Sequence, residues 1–241
     1  MFDKWMQYSY VAQKHQRTKV YKLVFIVLIL YVVYNCFVSF FFSVWVIDND
    51  TMRPGISSGD RLLFTSFTLP SLINRVKKVE YTLPFSRGSI VLVDMRHAED
   101  INPGLRVVDG IVRFFTAQKI SVITGGQYYV KRVIALPGDE ISMSNYVFRV
   151  KVKGSPYNLT EFELSGKPYH PEIPQAPQLW DESIPFSGSM DAVVLGPDEC
   201  FVVSDDRGNT NDSRTWGAIS PSLIKARALL RFWPVMKIEL F

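Results

Sequence analysis

The sequence predicts a mainly β protein, in which a single N-terminal transmembrane helix is followed by a β-rich domain with a proline-rich insertion. Three observations lead to this prediction. A long apolar run lies near the N-terminus, short apolar stretches then recur between Gly, Pro, Asn and Asp residues, and prolines interrupt one segment of the second half. With 241 residues, the chain has room for a membrane segment and one good-sized domain.

The first predicted element is a transmembrane helix over residues 23–47, preceded by a basic tail over residues 1–22. The run contains no Asp, Glu, Lys, Arg or His, and at about 1.5 Å per residue it is long enough to cross a hydrocarbon layer of about 30 Å. A removable secretory signal is the alternative, but the run is longer than the core of such a signal and lacks a small-x-small cleavage site at its end. The positive-inside rule places the tail in the cytoplasm and the chain from Asp48 onward outside.

The β-rich domain is predicted in two parts, over residues 48–152 and 191–241. Each apolar stretch is short enough for a strand and is bounded by turn-forming residues. The expected strands cover residues 61–64, 89–93, 128–135, 146–152, 192–195 and 200–204. One short helix is predicted over residues 220–226, where Ser220 could cap a helix that begins at Pro221.

Residues 153–190 are predicted to form an inserted loop or small cap between the two parts. Prolines break every regular period there, at positions 156, 168, 171, 174, 177 and 185. A disordered linker is the alternative, although aromatic residues at positions 157, 162, 169, 180 and 186 supply enough apolar mass to pack against the domain.

Composition narrows the functional classes. The net charge is +4, and basic residues are concentrated in the N-terminal tail. This distribution indicates the orientation of the chain in a membrane, and we predict no nucleic-acid partner. The three histidines are far apart and no CxxC motif occurs, so we predict no metal site and no cofactor. Cys36 lies in the apolar run and Cys200 in a predicted strand, so a disulfide between them is not expected.

Four blocks of sequence carry the residues suited to chemistry. They run over residues 50–63, 86–91, 129–139 and 204–217. Thr51, in the first block, would sit on a turn at the membrane surface. Lys131 lies in a predicted strand, where alternation puts it on one face with Tyr129, Val133 and Ala135.

Lys131 is therefore a candidate general base. An ammonium held among apolar neighbours loses hydration, its pKa falls, and the neutral amine can take a proton from a hydroxyl near neutral pH. A hydroxyl-lysine pair can act in this way as nucleophile and base without histidine. The alternative, taken residue by residue, is a lysine that extends to solvent and a Thr51 that only forms a turn.

The apolar run and the four blocks together resemble the type I signal peptidases, the bacterial leader peptidases. By this resemblance the nucleophile is Thr51, the general base is Lys131, and the hydroxyl that positions the lysine belongs to Thr210. Asp212 and Arg214 match the acid and base that hold the last block in shape. The resemblance further implies a single-pass protein of the cytoplasmic membrane that cuts secreted preproteins after small residues, with the lipid bilayer as its surroundings.

Several positions depart from the pattern of that family. The family has Ser where this chain has Thr51, and the residue two before it, usually a Ser, is Asn49. Asp50 and Ser204 stand where the family has Gly. The Asn49 amide and the Thr51 backbone N–H are the predicted oxyanion hole. The threonine methyl crowds the line of attack, and Asp50 adds a negative charge beside the site.

Three functional hypotheses follow from these residues. The first is an endopeptidase that removes signal peptides, and the second is a catalytically inactive relative that binds signal peptides or a partner protein. A self-cleaving repressor protease shares a similar dyad but begins with a DNA-binding domain instead of an apolar run. Two aromatic stretches could contact the membrane surface: residues 62–64 with Phe67 and Leu69, and residues 232–234.

Overall fold

The structure is a computed structural model, and it describes residues 17–34, 42–66, 83–95, 128–174 and 188–241, with single helical positions at 14, 108 and 112. These residues form two antiparallel β-sheets and a few short helices. The predicted mainly β fold is confirmed.

The larger sheet has seven strands and carries the first, second and fourth sequence blocks at its strand ends. Its order is β1-β2-β10-β3-β4-β9, and β11 pairs with β10. The strands are β1 (Phe42–Val46), β2 (Arg61–Ser66), β3 (Ile90–Asp94), β4 (Tyr128–Ala135), β9 (Phe201–Val203), β10 (Ile224–Trp233) and β11 (Glu239–Leu240).

The smaller sheet has four strands in the order β7-β6-β5-β8. They are β5 (Glu140–Ser144), β6 (Val147–Lys151), β7 (Asn158–Thr160) and β8 (Met190–Val194). A two-residue turn with positive φ at Asn145 and Tyr146 joins β5 to β6, which is the geometry that suits the twist of a hairpin. Gly138 has a φ of +83° in the link from β4 to β5, a conformation that side chains rarely adopt.

All six strands expected from the sequence are present, with ends that differ by at most two residues. The expected helix over residues 220–226 is wrong in its second half. Ser220 does cap a 3₁₀ turn over Pro221–Leu223, but β10 begins at Ile224. Hydrogen bonds to β2 and β3 on both sides of β10 outweigh the local helix signal.

The predicted transmembrane helix over residues 23–47 needs correction. Residues 17–34 are helical, but Phe42–Val46 form β1 and residues 35–41 lie outside the described part. Among the described residues, no helix combines the length and the apolar character needed to cross a membrane. Four of the five residues 42–46 are β-branched or aromatic, types that favour strands. In β1 they pair with all but the last residue of β2, and an isolated helix would lack these contacts.

The described part of the insertion, residues 153–174, is ordered against both sheets. It adds β7 to the edge of the smaller sheet and then the single-turn helix α1 (Glu161–Leu164), which begins with a capping box between Thr160 and Glu163. The second short helix, α2 (Ser213–Trp216), lies in the fourth sequence block. Neither helix was predicted, because four residues are too few to show helical periodicity.

Candidate active site

The turn that carries Thr51 is fixed by the core beneath it. Met52 and Ile56 are 0% and 1% exposed and pack with Leu62 and Phe64 in the core of the larger sheet. The turn closes where the Ile47 N–H donates to the Asp60 carbonyl oxygen at 2.9 Å. Buried Met52, which directly follows Thr51, therefore fixes the half-exposed Thr51 in the turn between β1 and β2.

The hydroxyl and the backbone N–H of Thr51 are both bound to one neighbour, Asn49. Its Oγ1 donates to Asn49 Oδ1 at 2.8 Å, and its backbone N–H donates to the same oxygen at 3.3 Å. Asn49 Nδ2 is turned away and donates to Asp48 Oδ1 at 3.0 Å. The Thr51 N–H that was expected in the oxyanion hole is thus occupied by the other expected member of that hole.

The carboxylate of Asp50 is bound by residues of its own turn. One of its carboxylate oxygens accepts from the Ser58 N–H at 2.9 Å, and the other forms an ion pair with Arg53 at 2.8 Å. This pair lies at the surface, so it adds little stability, but it orients the negative charge of Asp50 toward its own turn.

Lys131 lies in β4, which pairs with β3 on one side and with β9, the last strand of the sheet, on the other. Its side chain is 0% exposed, and Nζ donates to Ser204 Oγ at 2.8 Å. Nζ also lies 5.8 Å from the ring centre of Tyr129 and 5.9 Å from that of Trp216. The two aromatic rings complete the apolar surroundings that the strand pattern predicted for the lysine.

Burial lowers the pKa of Lys131 from 10.5 to about 8. Asp212 opposes this shift most strongly, Arg214 adds to it, and Asp205 and Asp206 oppose it more weakly. Loss of hydration outweighs the nearby carboxylates, so a substantial fraction of the lysine is neutral in mildly alkaline solution.

Asp212 and Arg214 form one buried unit that supports the segment bonded to Lys131. Asp212 is 0% exposed and accepts from the Ser204 N–H at 2.8 Å. Arg214 binds both carboxylate oxygens of Asp212, at 3.0 and 2.8 Å, and donates to the carbonyl oxygens of Arg207 and Asn209. The fourth block is therefore held in shape around a single carboxylate.

Thr210, expected from the resemblance to position the lysine, lies in the same block and is half-buried. Its carbonyl oxygen accepts from Thr215 Oγ1 at 2.5 Å and from the Asp212 N–H at 2.8 Å. The hydroxyl that accepts from Lys131 Nζ belongs to Ser204. In the sequence, Ser204 is only a position where the family has Gly, and no local pattern predicts its contact with Lys131.

Residues 204–206 bring the two halves of the site together. Lys131 binds the Ser204 side chain, and the Asp206 N–H donates to the Thr51 carbonyl oxygen at 3.1 Å. Thr51 and Lys131 thus contact the same three-residue segment, while Thr51 Oγ1 and Lys131 Nζ each hydrogen-bond a residue other than its partner. In this arrangement Thr51 Oγ1 is bound to Asn49 and Lys131 Nζ is bound to Ser204.

Two ion pairs lie near β4: Arg132 of the strand forms one, and Asp139 of the link that follows the strand forms the other. Arg132 binds both carboxylate oxygens of Asp205, at 2.7 and 2.5 Å, and its guanidinium lies 3.7 Å from the ring centre of Tyr169 in the insertion. The Arg87 guanidinium donates to both carboxylate oxygens of Asp139, at 2.8 Å each. The second and third sequence blocks are joined by this last pair.

A cavity of about 410 Å³ lies on the Arg132 side of the sheet, between the Pro54–Gly55 turn, the loop before β3 and residues 165–170. Neither Thr51 nor Lys131 lines it. Within the described ranges, no cluster of three or more His, Cys, Asp or Glu residues could hold a metal ion.

Comparison with known proteins adds an independent observation. The family model described as Signal peptidase, peptidase S26, matches residues 17–233, a range that includes all four blocks. Probable signal peptidase I-1 of Synechocystis sp. is 29% identical over 194 residues, which cover 79% of this chain and 71% of that protein. Signal peptidase I P of Bacillus subtilis subsp. natto is 23% identical over 99% of this chain and 98% of its own. Signal peptidase I of Leptolyngbya laminosa is 26% identical over 80% and 69%.

Proposed function

Because the chain belongs to the signal peptidase family, peptidase S26, we propose that it is an endopeptidase that removes signal peptides from secreted preproteins with Thr51 as nucleophile and Lys131 as general base. The observation that carries the proposal is the burial of Lys131, which has no exposed surface and whose pKa is lowered to about 8. Residues 204–206 contact this lysine and also donate a hydrogen bond to the backbone of Thr51.

The proposed reaction begins at the neutral amine of Lys131. Nζ takes the proton of the Thr51 hydroxyl as Oγ1 forms a bond to the scissile carbonyl carbon. The resulting ammonium gives that proton to the leaving amine when the C–N bond breaks, which leaves an acyl ester on Thr51. Water then attacks the ester with Lys131 again as base, and Thr51 regains its proton.

The proposed oxyanion hole requires one rotation. The Thr51 N–H is bonded to Asn49 Oδ1 at 3.3 Å, so the Asn49 side chain must turn before this N–H can meet an oxyanion. The turn would also free the Thr51 hydroxyl, which donates to the same oxygen, and could bring Nδ2 toward the substrate. Substrate binding would therefore release the nucleophile and form the oxyanion hole in one movement.

The second candidate is the catalytically inactive relative that binds signal peptides or a partner protein. The same Asn49 contact favours it, because the nucleophile and the oxyanion donor are both occupied. The threonine methyl restricts rotation about χ1 and adds to this argument. The two candidates differ in whether any cleavage depends on the hydroxyl of Thr51.

Variants at Thr51 distinguish the two candidates. Purified full-length protein is expected to cleave a preprotein with a small-x-small site, and Thr51→Ala should lower kcat/KM by at least about a thousandfold because the nucleophilic oxygen is gone. Thr51→Ser keeps the oxygen without the methyl and should equal or exceed the unmodified rate. Cleavage is measured by the appearance of the mature protein on gels.

The inactive candidate predicts a different pattern. Unmodified protein would then give no mature product at any concentration, whereas Thr51→Ser would give it. Unchanged cleavage by Thr51→Ala would instead reject Thr51 as the nucleophile and contradict the proposed mechanism.

The surface near the proposed site suggests contact with the lipid bilayer, and we include this contact in the proposal together with an outward-facing domain and a cytoplasmic N-terminus. Val46, Arg61 and Trp233 are register partners across β1, β2 and β10, at the end of β1 that leads into the Thr51 turn. Val46 is 58% exposed and Met236, just beyond Trp233, is 96% exposed. Exposed apolar side chains beside a site for membrane-bound substrates fit an interfacial surface.

Of the two aromatic stretches singled out in the sequence, the described residues favour the second. Leu62 and Phe64 are 0% exposed and belong to the core, while Phe67 and Leu69 lie outside the described residues. Exposed apolar residues cluster instead at the C-terminal stretch, at positions 233, 235, 236, 238 and 240.

Lipid contact at Met236 can be measured in vesicles of phosphatidylcholine and phosphatidylglycerol. On a Cys36→Ser background, a polarity-sensitive dye at Met236→Cys should shift to shorter emission wavelength and be quenched by spin-labelled lipid. Cys200 is buried, which limits labelling there. The control is Tyr157→Cys, 71% exposed at the edge of the smaller sheet, where no quenching is expected. Equal quenching at both sites, or none at Met236→Cys, would reject this surface.

A further inference from the structure

We propose that Ser204 is the residue that positions the general base, and that its hydroxyl takes the part that the family pattern gives to Thr210. The proposal rests on the proposed function and adds to it a residue that the family pattern leaves without a side chain, since the family has Gly at this place.

The contact between Ser204 and Lys131 is direct and shielded from water. Nζ donates to Ser204 Oγ at 2.8 Å, and both residues are 0% exposed. A hydrogen bond without competing water holds its partners more firmly than one at the surface. Because rotation of a long side chain must be restricted for proton transfer, one buried acceptor at the end of Lys131 would have a large effect on its alignment.

Ser204 is itself held by a rigid support. Its backbone N–H donates to Asp212 Oδ2 at 2.8 Å, and the Arg214 guanidinium donates to both carboxylate oxygens of Asp212. The residue before it, Val203, pairs with Arg132 in β4, the neighbour of Lys131 in sequence. The Ser204 backbone is therefore fixed relative to the strand that carries the lysine.

The position also explains how an exception to the family pattern could be tolerated. A glycine there would leave Nζ without this acceptor, and another hydroxyl would have to supply it. With serine at 204 the acceptor is already present, so the hydroxyl of Thr210 is not needed for that contact. The exchange moves the supporting oxygen from the middle of the block, at Thr210, to its first residue, Ser204, while the Asp212–Arg214 unit stays in place.

The test compares Ser204→Ala with Thr210→Val in full-length protein acting on a preprotein. Ser204→Ala should lower kcat about tenfold with little change in KM, because substrate contacts remain while the base loses its alignment. The acidic limb of the kcat profile should move to lower pH, because the lost oxygen accepts from the ammonium form of Lys131. Thr210→Val should cause a smaller loss and leave that limb in place.

Ser213→Ala is the matched control. Ser213 is also a buried serine of this block, but its Oγ accepts from the Val202 N–H at 3.0 Å and does not contact the lysine. Its replacement should lower the urea midpoint without moving the pH limb. If Thr210→Val moves the limb and Ser204→Ala does not, or if Ser213→Ala moves it equally, the assignment to Ser204 is wrong.

A double-mutant cycle in urea separates this proposal from the proposed function. Ser204→Ala and Lys131→Met should shift the unfolding midpoint non-additively, because each removes one partner of the same bond. Additive shifts would reject the contact. Non-additive shifts in a protein that never cleaves would show a structural contact only, and would overturn both the positioning role and the proposed function.

Discussion

Replacing Lys131 with methionine is expected to abolish cleavage and, at the same time, to make the folded protein more stable. Methionine has a similar length and no charge, so it can fill the same buried space. General-base catalysis is lost, and kcat should fall on the order of a thousandfold. The drop in the lysine pKa from 10.5 to about 8 corresponds to a cost of about 3 kcal/mol for the buried ammonium at neutral pH.

The pH dependence of stability provides the sign for this prediction. The pKa of Lys131 is about 8 in the folded protein and 10.5 in the unfolded chain. Between these two pH values, Lys131 binds more protons in the unfolded chain than in the folded protein. The free energy of unfolding of the unmodified protein should therefore rise with pH across this window. Lys131→Met lacks this contribution, so its advantage should be full below pH 8 and disappear above about 10.5. Urea titrations at several pH values measure both curves.

The pH dependence of cleavage should follow the same group. With a base of pKa about 8, only about 1% of the lysine is neutral two units lower, so kcat should rise with pH and level off above about 8. A flat profile through this range, or a Lys131→Met variant that is less stable than the unmodified protein at pH 7, would contradict a desolvated lysine base.

Breaking the ion pair between Glu161 and Arg207 is expected to produce the largest loss of stability. The side chains of Glu161 and Arg207 are 1% and 0% exposed, and Glu161 Oε2 lies 2.5 Å from Arg207 Nη2. Nε and Nη1 of Arg207 have no hydrogen-bond partner among the described residues, and its guanidinium lies 4.9 Å from the ring centre of Phe148. Glu161 is thus the partner on which the buried charge of Arg207 depends.

Glu161→Ala should lower the free energy of unfolding by about 3–5 kcal/mol, because it leaves Arg207 buried without a counter-charge. The same carboxylate also accepts from the Phe148 N–H at 3.0 Å and from the Tyr169 hydroxyl. Chemical denaturation of the full chain measures the loss. If Glu161→Ala does not fold, Glu161→Gln keeps the shape and should show a smaller loss in the same direction.

Two comparisons make this prediction specific to burial. Adding Arg207→Met to Glu161→Ala removes the second charge, so the double variant should be more stable than Glu161→Ala alone. Glu140→Ala breaks a surface pair with Lys151, whose side chains are 40% and 48% exposed at a distance of 3.6 Å, and should cost no more than about 0.5 kcal/mol. Equal losses for Glu140→Ala and Glu161→Ala would contradict the argument.

This pair also gives the insertion a structural part in the site. Glu161 begins α1 in the insertion, whereas Arg207 lies three residues after Ser204. Backbone bonds of Glu172 to Asp205 and Arg207, at 2.9 and 2.8 Å, join the same two regions. The described part of the insertion therefore supports the fourth block, whose Ser204 accepts from Lys131. The aromatic residues of the insertion predict that it packs against the domain, but the proline-rich sequence does not indicate which residues it contacts.

The amino-acid sequence by itself predicted the mainly β fold, the positions of six strands along the chain and the resemblance to the signal peptidase family. Alternating apolar residues and turn formers are local signals, so they predicted six of the eleven strands in the described part of the structure. They also predicted the face of β4 on which Lys131 is buried. The same local signals extended the N-terminal helix through residues 42–46, because an apolar run looks alike whether it forms a helix or pairs with β2.

Only the tertiary structure decided which groups meet at the site. Lys131 and Ser204 are 73 residues apart in the chain, and Glu161 and Arg207 are 46 apart. Which hydroxyl reaches the lysine, and whether Asn49 presents its oxygen or its nitrogen to Thr51, depends on how strands and turns pack against one another. Such contacts are set by distances of a few ångströms in three dimensions, which local propensity does not encode.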